Sequence, residues 1–129
     1  EALYRKVFLG QENVNSAINF SNKGLEYFNN SEYENAAIEF EKAIERNPLD
    51  YAYYENAATS NYLSGNLYKA LEQIDKVINE LNPLNGKCEY IKALIFIKLG
   101  DPIGACPLLE ISLKSGFNQS NATFSQYCK

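Results

Sequence analysis

Three side-chain types could do chemistry in this chain: glutamate, serine and cysteine. Glu32, Glu34, Glu39, Glu41 and Glu45 crowd into one short stretch. Paired carboxylates can share acid–base work, but Lys42 and Arg46 interleave with these, and Glu41 and Glu45 stand one helical turn apart. That spacing describes a solvated helix face with local ion pairs. Serine and cysteine nucleophiles need a base, and the chain contains no histidine. A serine–lysine pair is the one activation route left, and no motif frames one. Asn85-Gly86-Lys87 lacks the glycine-rich approach of a phosphate loop and reads as a turn. Three cysteines without histidine do not make a closed zinc site. The residues therefore predict no catalytic group, no metal and no cofactor, and the chain reads as a non-enzyme.

Composition narrows the partners. The chain has 129 residues, 46% apolar and 22% charged, which suits a single globular domain over residues 1–129. A net charge of −4 lacks the basic footprint that nucleic acid requires. The longest apolar run, Ala93 to Ile97, is closed by Lys92 and Lys98, far short of the roughly 18 residues of a membrane span. A protein or peptide partner remains, or a second copy of the chain. Charge is uneven: residues 1–50 sum to −4, residues 51–83 to −2 and residues 84–129 to +2. The start at Glu1, without methionine or leader, reads as a processed piece of a longer product.

The elements come from an internal repeat. Sliding the sequence on itself by 34 and then 35 residues aligns Gly24 with Ala58 and Ala93, and Ala36 with Ala70 and Ala105. Phe40 then meets Ile74 and Leu109, Ala43 meets Val77 and Ser112, Pro48 meets Pro83, and Gly65 meets Gly100. One residue inserted between Val77 and Pro83 lengthens the period. Two antiparallel helices per repeat explain these columns. The small residues sit where helix A approaches helix B, and close axes leave no room for more. Gly65-Asn66 and Gly100-Asp101 end one helix in a left-handed turn and offer a polar start to the next. The prolines stop helix B.

At these residues the chain resembles the tetratricopeptide repeat, most clearly from Gly24 and Tyr27 through Tyr33, Ala36, Phe40, Ala43 and Pro48. The resemblance covers about residues 17–116. It implies an all-α solenoid of three helix-turn-helix repeats forming a short right-handed superhelix, with repeats at about 17–50, 51–84 and 85–116. The expected helices are 16–30 and 33–46, 51–64 and 67–81, and 86–99 and 102–115, with a capping helix at 119–128 that covers the last repeat through Phe124 and Tyr127. Residues 2–9 are expected to form a short covering helix or to belong to a further upstream repeat. Pro102 suits a helix first turn, and Pro107 is expected only within that first turn, so the third helix B is expected to be short or displaced.

The resemblance also implies a non-catalytic interaction module that holds a peptide or protein segment in a concave groove lined by the A helices. The expected groove residues are Asn22, Leu25 and Asn29, then Glu55, Asn56, Thr59 and Tyr62, then Lys87, Tyr90, Leu94 and Lys98. Tyr62 and Tyr90 have a second reading as packing residues between neighbouring A helices. Some family members grip a terminal carboxylate with five basic and asparagine side chains. Asn56 and Lys87 match two of these, whereas Ser21, Leu25 and Ile91 stand where the other three belong, which argues against chaperone-tail binding. Other roles compatible with the repeats are docking of substrates for an enzyme or secretion assembly, and self-stacking through an open end.

Cys106 and Cys128 are each eleven residues from Phe117, at the centre of the turn expected between the last two helices. In an antiparallel hairpin such residues are level, so the two thiols can bridge if both face inward. The closing stretch Gly100-Asp101, Gly104-Ala105-Cys106 and Tyr127-Cys128-Lys129 also resembles the terminal unit of exported bacterial tetratricopeptide proteins. A bridge would go with a periplasmic or membrane-anchored exported location. Two reduced, half-buried cysteines would go with a cytoplasmic one. Cys88 is expected to be a buried small apolar residue.

Overall fold

The fold was obtained as a computed structural model that describes residues 10–81 and 83–128. The helix expected at residues 2–9 lies outside the described residues. Among those described, all regular structure is helical: α1 Gln11–Asn29, α2 Tyr33–Arg46, α3 Tyr51–Ser64, α4 Leu67–Lys76, a π-helical turn Val77–Leu81, α5 Lys87–Lys98, α6 Pro102–Lys114 and α7 Ser120–Tyr127. The chain divides into two compact units, the first ending at Asn66 and the second beginning at Leu67.

In the first unit α1 packs on α2, and α2 on α3. Two apolar clusters hold them. One joins Ala17, Ala43 and Tyr53 with Phe20 and Ile44 at its edge. The other joins Ala36, Phe40 and Ala57 with Tyr27 and Phe28. Gly24 shows why its column is small: a Cβ there would come within 2.7 Å of the Phe40 ring. Phe40 itself is fully buried, so the ring cannot move aside without opening the core. Tyr33 starts α2 edge-on to Phe28, with ring centroids 5.1 Å apart. The turn out of α3 uses Gly65 in the left-handed conformation at φ 92°. Asn66 does not cap the following helix as its type suggests. Its side chain turns back to Asn61 Oδ1 at 3.4 Å, and its backbone N–H to the Asn61 carbonyl at 2.8 Å. The start of α3, by contrast, is capped by Asp50, whose carboxylate accepts from the Ala52 N–H at 3.0 Å.

The second unit packs α4 on α5, α5 on α6 and α6 on α7. Ala93, Ala105, Leu109 and Cys128 form its core, with Tyr90, Phe96, Ile97, Leu108 and Phe124 packed around it. Lys92 of α5 pairs with Asp75 of α4 at 2.7 Å. Ser112 falls in an otherwise apolar column and is fully buried. Its hydroxyl donates to the Gly86 carbonyl at 2.7 Å, and its oxygen lies 2.6 Å from Ser120 Oγ. One hydroxyl therefore ties the start of α5 and the start of α7 to the last turn of α6.

Three expectations are corrected. Helix α1 begins at Gln11, not at residue 16; its extra turn carries Glu12 near the positive helix end and a Gln11–Asn15 side-chain bond of 3.0 Å. Helix α6 is neither short nor displaced, and it carries Pro107 well past its first turn. That proline leaves only the Ile103 carbonyl without its helical donor, on an exposed early turn where water can serve. Finally, Glu39 does not share the solvated face of α2. It is buried, pairs with Lys42 at 3.1 Å through Oε2, and leaves Oε1 without a hydrogen-bond partner.

Candidate functional site

The expected groove residues fall into rows on three helices, two in the first unit and one in the second. On α1, Asn22, Leu25 and Asn29 are spaced three and four apart, so they share one face. All three are exposed, and Leu25 leaves 42% of its surface in water although it is a large apolar side chain. An adjoining face of the same helix, about a quarter-turn round, buries Ala17, Ser21 and Gly24. Packing therefore consumes one side of α1 and leaves the other available.

On α3, Asn56, Thr59 and Tyr62 are half-buried and Glu55 is buried. The Thr59 hydroxyl donates to the Glu55 carbonyl at 2.8 Å, as Ser60 does to the Asn56 carbonyl at 2.8 Å. Those hydroxyls are used inside the helix. Glu55 is thus part of the packed side of α3, with little of its carboxylate left to meet a ligand.

In the second unit, Lys87, Tyr90 and Leu94 are half-buried on α5 and Lys98 is exposed at its end. Spacings of three and four again put them on one face. Tyr90 packs on the ring of Phe117, with centroids 5.2 Å apart, and borders the core cluster. This ring contact is with the turn between α6 and α7 and not with a neighbouring A helix. The basic residues of α2 have aromatic company too: the Lys42 ammonium and the Arg46 guanidinium lie 5.7 and 5.9 Å from the Phe20 ring centroid.

Cys106 and Cys128 form a disulfide, with Cα atoms 5.7 Å apart across a separation of 22 residues. Cys88 lies outside the bridge and is buried. Of the positions compared with a carboxylate clamp, Ser21 and Ile91 are 8% and 5% exposed. Neither could reach a ligand even if its type allowed it.

Two features escaped the sequence reading. A polar hollow of about 430 Å³ is lined by Ser31, Glu32, Tyr33, Glu34, Asn35 and Ser64. Its acidic residues are exposed, so it is a solvated depression at the α1–α2 turn, where Ser31 adopts φ 61°. The second feature is a cleft between α6 and α7 beside the disulfide. Nothing in the residue types marks either, because both arise from how turns and helix ends come together.

Known proteins give the arrangement its context. Residues 17–48 match the tetratricopeptide repeat family. No curated protein matches the sequence. Among solved structures, the TPR2B domain of yeast Sti1, solved in complex with pHsp70, is similar at 23% identity and a TM-score of 0.74, over 86% of this chain and 88% of that one. The first TPR domain of human RPAP3 is similar at 16% identity and a TM-score of 0.72, over 87% and 94%. The Sgt2 TPR domain of Aspergillus fumigatus is similar at 19% identity and a TM-score of 0.68, over 85% and 80%. At these identities the likeness establishes the fold. In sequence over its first repeat, and in fold over most of its length, the chain is similar to tetratricopeptide-repeat domains: all-α, built of helix-turn-helix repeats closed by a C-terminal helix.

Proposed function

We propose that the chain is a non-catalytic protein-interaction module that binds a peptide segment along the exposed face of its A helices. The observation that carries this is the α1 face, where the apolar Leu25 stands 42% exposed between the exposed Asn22 and Asn29, while Ala17, Ser21 and Gly24 of the same helix are buried in the core. An apolar anchor flanked by side-chain amides suits a polypeptide, because amides can meet backbone N–H and C=O groups while the leucine meets a side chain. Asn56, Thr59 and Tyr62 of α3 supply a second row, and Lys87, Leu94 and Lys98 of α5 a further one on the second unit. The complex of the similar Sti1 domain with pHsp70 supports a role in binding protein.

The ligand is an internal segment and not a free C-terminus. Ser21 and Ile91 put small or apolar buried groups at positions where a carboxylate clamp needs polar ones. Selection from a random-peptide display library tests the proposal. Selected peptides should lose affinity by about tenfold or more on Leu25→Glu, which places a charge against an apolar contact. Peptides that bind Leu25→Glu and Asn22→Ala as well as the parent protein would place the site elsewhere. A peptide ending in Glu-Glu-Val-Asp should bind no better than its scrambled counterpart.

A further inference from the structure

The last two helices of the second unit enclose a cleft of about 380 Å³. Ile103, Cys106 and Glu110 of α6 line one wall, and Phe124, Tyr127 and Cys128, at and just beyond α7, line the other. The disulfide joins the walls covalently, so the cleft stands without a ligand to hold it open. Ile103 is 81% and Tyr127 40% exposed, which leaves large apolar surfaces in water at its mouth. Glu110 is exposed, and among the described residues it makes no ion pair and no basic side chain lines the cleft.

A single carboxylate among an aliphatic and two aromatic side chains selects for a cation carried on an apolar stem. A guanidinium fits better than an ammonium. It is planar, stacks on aromatic faces, is weakly hydrated and can meet a carboxylate through two N–H groups. We propose that this cleft is a second binding site, one that takes an arginine side chain of a partner polypeptide, with the guanidinium at Glu110 and the stem against Ile103, Phe124 and Tyr127. It lies within the second unit and shares no residue with the α1 face, so each site can fail without the other.

Nitrogen-15 spectra of the full chain with its disulfide intact, titrated with Nα-acetylarginine amide, test the assignment. Saturable shifts are expected at Ile103, Glu110 and Tyr127, with binding weakened about fivefold in Glu110→Gln, a modest factor because the pair is solvent-screened. Tyr127→Ala should weaken it comparably, and the thermal midpoint of Glu110→Gln should match that of the parent protein. Absence of saturable shifts, equal binding by Glu110→Gln, or equal binding of Nα-acetyllysine amide would overturn the proposal.

Discussion

At the scale of single residues, the tightest constraint is steric. Gly24 faces the Phe40 ring so closely that one added carbon forces a side chain or an axis to move. Gly24→Ala should therefore lower stability by about 1–3 kcal/mol even though alanine favours helices, and denaturant unfolding would show it. Phe40→Leu should recover part of that loss in the double variant. Ser112 is constrained by partners instead. Ser112→Ala takes the hydrogen-bond partner from the buried Ser120 hydroxyl and leaves the Gly86 carbonyl with the Tyr90 N–H as its remaining donor, so it should cost about 1–3 kcal/mol, where an ordinary serine-to-alanine change at an exposed site would cost almost nothing. The need for a small residue at Gly24 was legible because it recurs in every repeat. The burial of Glu39 was not, since a charge pattern along one helix says nothing about which neighbours cover it.

Among the elements, α2 and α3 lie where the repeat columns put them, and α5, α6 and α7 begin and end within a residue or two of expectation. Their stops are written in glycine, proline and capping residues, which act locally. The start of α1 was not legible, because the repeat comparison begins at Ala17 and gives no column for the turn before it. The π-helical turn Val77–Leu81 has a direct sequence cause: it stands where the repeat period lengthens by one residue. A helix absorbs one extra residue by widening one turn while keeping its two ends in register. Deleting Asn79, an exposed residue of that turn, should restore an ordinary α-helix and change stability by less than about 1 kcal/mol. Deleting Glu45 from α2 would rotate the rest of that helix out of its core and should cost several times more. Thermal unfolding of the two deletions compares them directly. At the other end, α7 is eight residues long and buries only Ser120 within itself. It depends on the bridge, and Cys128→Ser should cost about 3 kcal/mol.

For the whole molecule, the absence of histidine, the acidic balance and the repeat point towards protein binding in the sequence itself. The fold agrees with that reading. The rows of the candidate surface were legible from helical spacing, but the buried state of Glu55 and the Phe117 contact of Tyr90 were not, since they depend on how helices pack. From the Cys106–Cys128 bridge we propose an oxidising, exported compartment, where disulfides persist. Thiol counting on unfolded, unreduced protein from the native source should find one reactive thiol, that of Cys88, and three would remove that support. The central claim is that polypeptide is held on the A-helix face and not on the B-helix face. It is tested most directly by a photo-cross-linking residue placed at Asn22 or at Ile38, which is 50% exposed on α2, with a display-selected peptide bound. The account predicts a covalent peptide adduct from position 22 and none from position 38. Adducts from position 38 alone, or in equal yield from both, would contradict it.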